Sequence, residues 1–378
     1  MEKINGNHQP AVKIPGKPRV LVAPLDWGLG HATRCIPVIH ELVRQNAEVW
    51  VAAEWKQEIL LRTEFPGLSF LNLPGYRIRY GRNRRALVWN IFFQTPKILR
   101  AIKHEHRWLK KAVSEYGFDA IISDNRFGLY HDSVPSVFIT HQLLIKTPLG
   151  KWADRTLQKS NYRFINRFTE CWIPDTEKNN SLAGDLSHPG KMPAIPVHYI
   201  GLLSRLKKHD LPIKKDLLFI SLSGPEPQRT ILENKIINDI GHYNGTATIV
   251  RGLPGSSTII PSTNDIKFYN HLPTDEYNKE IQQAEFIIAR SGYSTVMDII
   301  SLDKRSILVP TPGQTEQEYL ALYLSKNRLA FTVSQKEFTL TNVLEAAKQF
   351  NYKTTQPEDE KYLEKAIQKL IEQLQHRS

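Results

Sequence analysis

The sequence predicts two Rossmann-like, doubly wound α/β domains that face a cleft, and three observations predict it. An apolar strand, a small-residue loop and an amphipathic helix open the chain at Arg19, and the same succession restarts at Asp216. Strand and helix alternate throughout, which calls for parallel sheets covered on both faces. At 378 residues the chain exceeds one ordinary core and suits two domains.

The elements follow in order. RVLVAPL (Arg19–Leu25) is a buried-strand run, DWGLGH (Asp26–His31) a glycine turn, and Ala32–Asn46 a helix with apolar Ile36, Ile39, Leu42 and Val43 at helical spacing. AEVWVAAE (Ala47–Glu54) completes a right-handed βαβ unit. FDAIISDN (Phe118–Asn125) and SVFITHQ (Ser136–Gln142) read as further parallel strands with polar ends. SRLKKHDLPIKK (Ser204–Lys215) is charged and proline-interrupted, as a linker would be. DLLFISLSG (Asp216–Gly224) begins the second half, followed by strand runs TATIVRG, IKFYN, EFIIARSG, RSILVPTPG and LAFTVSQ. A last helix, Glu358–Gln375, carries Tyr362, Leu363, Ile367, Leu370, Ile371 and Leu374 on one face. The expected organisation is a disordered tail over 1–18, a first domain over 19–205, a linker at 206–215, a second domain over 216–355, and a C-terminal helix over 356–378 that packs back on the first domain.

Composition removes several classes. Hydrophobic residues at 41% and charged residues at 23% are those of a globular protein. Two cysteines, Cys35 and Cys171, make no disulfide framework and no Cys/His cluster, so both are expected to be core thiols of a reducing compartment. The N-terminus lacks the apolar centre of a secretory signal, and no run of about 18 apolar residues predicts a membrane span. The net charge is +12, and it is uneven: residues 1–209 contribute +14 and residues 210–378 contribute −2.

Ligands of open parallel sheets bind beyond the carboxyl ends of the strands, so the loops there carry the expected chemistry. In DWGLGH, Gly28 and Gly30 let the backbone turn tightly, and the next helix presents free N–H groups to an anion. His31 stands at the same end, where an imidazole accepts a proton near neutral pH. A plain βα turn and a structural histidine are the competing readings. Thr33 occupies the third glycine position of a dinucleotide fingerprint, while Glu54 stands about where a ribose-binding acid would. In ARSGYSTVMD (Ala289–Asp298), Ser291, Gly292, Ser294 and Thr295 make a hydroxyl-rich turn into a helix, a diphosphate cradle or a simple N-cap. In VPTPGQTEQEYLA (Val309–Ala321), Glu316 sits near a helix start, where it either compensates the dipole or holds a ribose diol.

GLGHATRCIPVIHEL, ARSGYSTVMDII and LVPTPGQTEQEYLA together resemble the MurG-like family 28 of UDP-N-acetylglucosamine transferases, with the GT-B fold, over residues 19–375. The resemblance implies a C-terminal domain for the UDP-sugar and an N-terminal domain for the acceptor. It places Ser291, Gly292, Ser294 and Thr295 by the donor phosphates, Glu316 on the ribose, Gln317 near the donor sugar, and Ser223 and Gly224 in the loop after the first C-terminal strand. Arg251, ending TATIVR, joins Gly28 and Gly30 among the expected donor-binding residues. His31 matches the histidine that ends the family's first loop and is the first choice for base, with Asp26 and Asp124 as alternatives. His141-Gln142 partly echoes a further family stretch. The implied reaction is inverting displacement at the anomeric carbon of a UDP-sugar by an acceptor hydroxyl. Helix ends and hydroxyls then take the leaving diphosphate, with no metal and no cofactor beyond the donor itself.

The positive charge needs its own account. Between Arg77 and Lys111 eleven Lys or Arg residues stand against one acid, Glu105, interleaved with Trp89, Phe92, Phe93 and Trp108. KWADRTLQKSNYRFINRF (Lys151–Phe168) repeats the basic-aromatic character. Such segments are either solvated helix faces or elements lying on anionic lipid; no nucleic-acid motif accompanies them. The expectation is a cytoplasmic glycosyltransferase, peripheral on the inner face of the membrane, that uses a glycan or lipid-linked acceptor. A nucleotide-sugar 2-epimerase and an inactive sugar-nucleotide-binding protein are the alternatives.

Overall fold

The computed structural model describes residue 13 and residues 16–76, 84–177, 181–354 and 361–376, with backbone only over 84–94. The chain divides into two compact units. One gathers the described residues up to 76, 91–203 and the final helix; the other holds residues 84–90 and 204–354.

The first unit is a seven-stranded sheet: β1 (Arg19–Pro24), β2 (Glu48–Ala53), β3 (Ser69–Asn72), β4 (Ala120–Asp124), β5 (Ser136–Ile139), β6 (Glu170–Ile173) and β7 (Val197–Tyr199). Its order is β3-β2-β1-β4-β5-β6-β7, every pair parallel. Helices α1 (Leu29–Arg44), α2 (Trp55–Glu64), α3 (Arg84–Tyr116) and α4 (Lys151–Ile165) make the crossovers. The apolar runs become strands because both faces are covered: Val20, Leu21, Val22 and Ala23 are fully buried. Three strands were not anticipated. β3, β6 and β7 are three or four residues long and include Asn72, Glu170 and His198, so they lack a legible apolar run. Arg19, Trp50 and Tyr116 close one face, with the guanidinium 5.4 Å from the Trp50 ring and Glu48 accepting from both Arg19 and the indole.

The second unit is a six-stranded parallel sheet, β8 (Leu217–Ser221), β9 (Thr246–Val250), β10 (Ile266–Tyr269), β11 (Phe286–Ala289), β12 (Ser306–Leu308) and β13 (Phe331–Thr332), ordered β10-β9-β8-β11-β12-β13. Its helices are α5 (Gln228–Ile240), α6 (Thr274–Gln283), α7 (Tyr293–Ser301), α8 (Thr315–Lys326) and α9 (Leu340–Gln349). Residues 204–211 lie along α6: Lys207 C=O accepts from Asn278 and Gln282, and the His209 N–H donates to Gln282. The last helix, α10 (Tyr362–Gln375), turns Ile367, Leu370, Ile371 and Leu374 inward and meets the end of α1 through Gln45 and the Arg44–Glu364 pair at 2.9 Å.

Both sheets reverse their direction of growth once, between β1 and β4 and between β8 and β11. At such a switch point the loops leaving the two central strands diverge to opposite faces and leave a crevice. That order makes the loops at these strand ends the candidate sites of the two units. Cys35 and Cys171 are both buried and unpaired. Among the described residues no helix is long and apolar enough to cross a membrane, and no His/Cys/Asp/Glu group fits a metal. Of the expected tail over residues 1–18, positions 1–12 and 14–15 lie outside the described residues, as do the basic positions 77–83 and the side chains of 84–94.

Candidate functional site

At the switch point of the first sheet, β1 runs into Asp26-Trp27-Gly28 and α1 begins at Leu29. Gly28 takes φ 90°, a left-handed backbone that only glycine adopts without strain, and it forms the N-terminal boundary of the helix. Gly30 was expected to share the turn; it lies instead within the first helical turn, because the helix starts one residue before it. His31 therefore stands on that first turn, above the end of β4.

There the three base candidates separate. Asp124, the last residue of β4, is wholly buried, and its Oδ2 lies 3.1 Å from His31 Nδ1. Arg34, one turn along α1 and 2% exposed, donates from Nε to Asp124 Oδ2 at 2.7 Å and from Nη2 to Oδ1. Burial alone would raise the Asp124 carboxyl, but Arg34 and His31 outweigh it and hold it at about 2. It is thus a carboxylate with both oxygens engaged, placed to orient His31 rather than to act beside it. Burial, with the Arg34 charge, pushes His31 below the ordinary imidazole value, against Asp124. Asp26 points away: its Oδ1 accepts the Tyr76 N–H at 3.0 Å, and a Cβ at Gly75 would overlap its carboxylate. Glu54 likewise accepts the Gly75 N–H at 2.7 Å. His141, just past β5, brings Nδ1 to 3.2 Å from Arg34 Nη1. Cys35 offers its thiol to Asp124 Oδ2 at 3.8 Å, and burial together with that carboxylate raises the thiol well above its ordinary range.

Beneath this group lies a second buried pair. Glu105 on α3 meets Arg126 at 2.7 Å, with both side chains 1% exposed, and Tyr76 donates its hydroxyl to the same carboxylate. Arg126 also donates to the Pro24 and Pro74 carbonyls, fixing the ends of β1 and β3 to one another.

In the second unit the corresponding strand ends are those of β8, β11 and β12, which are neighbours in the sheet. After β8 come Ser223 and Gly224, the latter at φ 103°. A Cβ at Gly224 would lie 3.4 Å from the Thr311 hydroxyl. That hydroxyl is buried and has no hydrogen-bond partner among the described residues, whereas the Thr311 N–H donates to Gln317 Oε1 at 2.8 Å. After β11, Ser291 donates to the Gln317 carbonyl at 2.8 Å, Gly292 bounds α7, and Ser294 and Thr295 lie half-buried in the first helical turn. Gln317 spends its amide on Gln314 Oε1 at 2.6 Å, so both ends of its side chain brace the loop before α8. Glu316 lies half-buried in the first turn of α8. Arg251 is taken up by Glu233 Oε1 (2.6 Å), Asn270 Oδ1 (2.7 Å) and the Thr258 carbonyl (2.8 Å), and so ties down the loop after β9.

Two groups here were not singled out in advance. Arg290, 1% exposed, donates to neutral acceptors: the carbonyls of Val309, Pro310 and Gln228, and Gln335 Oε1. No carboxylate pairs with it among the described residues, its Nε has no partner, and burial lowers it to about 10. A buried cation without a counter-charge is costly, and an anion at the adjoining turn would relieve that cost. Asp298 on α7 accepts from Ser204 at 2.7 Å, and burial pushes it up to about 6 against Arg205 and Ser204. Both lie within ARSGYSTVMD, but the state of each is set by surroundings that the motif does not record.

Residues 234–374 match the model of the glycosyltransferase family 28 C-terminal domain. The chain is similar to the UDP-N-acetylglucosamine–N-acetylmuramyl-(pentapeptide) pyrophosphoryl-undecaprenol N-acetylglucosamine transferase of Haemophilus ducreyi, 23% identical over 322 residues that cover 83% of this chain and 85% of the relative. Among solved structures it is similar to the kitacinnamycin glycosyltransferase (TM-score 0.62, 12% identity, 96% of each chain covered). It is also similar to the spinosyn rhamnosyltransferase SpnG (TM-score 0.61, 14% identity, 94% of this chain and 96% of the other). The two parallel sheets, their switch points and these matches agree: the chain is a glycosyltransferase of the GT-B fold, with a family 28 C-terminal domain.

Proposed function

We propose that the protein moves a hexose or N-acetylhexosamine from a UDP-sugar to an acceptor hydroxyl, with inversion and without a metal. The observation that carries this is the His31 imidazole backed by the buried Asp124 carboxylate at the switch point of the first sheet. Acting as base, Nε2 of His31 takes the acceptor proton while Asp124 steadies the imidazolium that forms. The oxygen attacks the anomeric carbon and the C–O bond to the diphosphate breaks on the opposite face. In the second unit the α7 N-terminus, the unpartnered Thr311 hydroxyl and the uncompensated Arg290 charge support a diphosphate as the leaving group.

The Haemophilus relative acts on a pyrophosphoryl-undecaprenol substrate, and a lipid-linked acceptor is the reading we favour here. The described residues add support on α4. Lys151, Arg155, Lys159 and Arg163 recur every fourth residue on its exposed side, with Trp152 79% and Leu149 69% exposed at its start. The single acid of α4, Asp154, turns inward to Thr147. Such a face suits an anionic lipid surface. The deciding experiment measures UDP release from UDP-N-acetylglucosamine, with and without an undecaprenyl-pyrophosphoryl acceptor. Acceptor-dependent release that His31→Ala lowers by two to four orders of magnitude, with UDP affinity retained, is the expected result. Conversion of the donor alone would identify an epimerase, and equal turnover in the variant would remove His31 from the mechanism.

A further inference from the structure

Arg34 stands in an unusual relation to the base. Its Nη2 lies 2.8 Å from His31 Nδ1, while Asp124 Oδ2 lies 3.1 Å from the same nitrogen. The two contacts make opposite demands. A guanidinium only donates, so its contact requires a lone pair on Nδ1 and leaves the single proton of a neutral ring on Nε2. A carboxylate only accepts, so its contact requires the proton on Nδ1 and leaves the lone pair on Nε2, where a base needs it. Arg34 keeps Asp124 in either case, through Nε at 2.7 Å.

We propose that Arg34 is a positioning residue that competes with Asp124 for His31 Nδ1, holding the free enzyme in a neutral, Nε2-protonated resting form from which the reactive tautomer is drawn. In the exchange, the Nη2–H···Nδ1 bond breaks, the ring proton moves from Nε2 to Nδ1 by way of solvent, and an Nδ1–H···Oδ2 bond forms. No charge is created, since Arg34 and Asp124 remain an ion pair throughout. The groups facing the ring are Arg34 on its own helix, Asp124 from β4 and His141 from beyond β5; Arg34 and His141 oppose a second proton and Asp124 favours it. The inference rests on His31 being the base, and its readout is independent of turnover, so failure here and failure of that assignment are told apart.

The test is a pH titration of the full chain carrying ¹⁵N-labelled histidine. The His31 signals are assigned with His31→Asn, and the two ring nitrogens report which one holds the proton. In the wild type the ring is expected neutral at pH 7 with its proton on Nε2, taking up a second proton only below the ordinary pH of about 6.5. Arg34→Lys keeps the charge but cannot span both partners: the midpoint stays low and the proton moves to Nδ1. Arg34→Gln raises the midpoint by about one pH unit. Should Arg34→Gln not fold, because it strands a buried carboxylate, the double variant Arg34→Gln/Asp124→Asn removes both charges; burial still holds its midpoint below the ordinary value, and the ring proton is expected to be released from Nε2. An Nδ1-bound proton in the wild type, or an unchanged tautomer in Arg34→Lys, overturns the proposal.

Discussion

Replacing Asp124 by Asn tests the first-unit cluster as a thermodynamic object. The substitution keeps the shape of the side chain and removes the charge that Arg34 and His31 share. Holding a carboxyl at about 2 when its ordinary value is 3.8 stabilises the folded state by about 2 kcal/mol at neutral pH. The folded value lies below the unfolded one. That contribution is therefore complete above about pH 4 and is lost as the pH falls through 2. The variant also leaves the Arg34 guanidinium, 2% exposed, without its counter-charge, a loss of about 3–5 kcal/mol for a broken buried pair. All seven tryptophans lie between positions 27 and 172, so indole fluorescence during urea unfolding reads the N-terminal half of the chain alone. The expected gap between wild type and Asp124→Asn is about 3–5 kcal/mol at pH 7, narrowing by about 2 kcal/mol as the pH drops from 4 to 2. A gap below about 1 kcal/mol at neutral pH, the level of a surface pair, or one that does not narrow in acid, would refute the argument that Asp124 is a buried, ionised anchor.

The remaining predictions concern separate groups. Thr311→Val removes a buried hydroxyl that has no partner among the described residues, so melting should hold or rise slightly, while UDP affinity measured by calorimetry falls about tenfold through loss of one bond to phosphate. Asp298→Asn should be tolerated, since the amide oxygen can still accept from Ser204. Because the folded carboxyl is raised to about 6 from 3.8, wild type loses stability as the pH rises from 4 through 6, by at most about 3 kcal/mol. The variant should lack that decline, which thermal melts at pH 4 and pH 8 will register. Replacing Lys151, Arg155 and Lys159 by Gln should weaken sedimentation with anionic vesicles and flatten its salt dependence, leaving the fold intact because all three side chains are exposed. Equal binding to neutral and anionic vesicles would remove the electrostatic account of α4.

The legible parts of the molecule were those written locally. RVLVAPL, the glycine turn and the helix after it form one continuous stretch, so β1, Gly28 and His31 could be placed from spacing alone. Asp124 was visible as a strand-end acid, but its role was not. Whether it rivals or supports His31 depends on β4 lying beside β1, and that adjacency comes from the order of the sheet, set by nearly a hundred intervening residues. Arg34 sits three residues from His31, a helical spacing that brings side chains together, yet nothing in the sequence says that it turns into the core. In the second unit, Ser291 and Gln317 were legible as polar loop residues, and the Ser291 hydroxyl, donating to the Gln317 carbonyl, joins the start of α7 to α8. Composition indicates that such hydroxyls and amides exist; only packing decides what they are bonded to. The uncompensated charge of Arg290 is a fact about missing neighbours, which no motif records.

The burial of Cys35 against Asp124 has a practical side. A thiol held far from its thiolate form does not react with alkylating reagents at neutral pH while the cluster is closed. Cys171 is equally protected within β6, on the far side of the same sheet order. The chain thus contains two chemical clocks and no other thiols to confuse them. The labelling rate at Cys35 counts openings around His31, the rate at Cys171 counts openings of the sheet, and their ratio separates breathing of the site from unfolding of the domain.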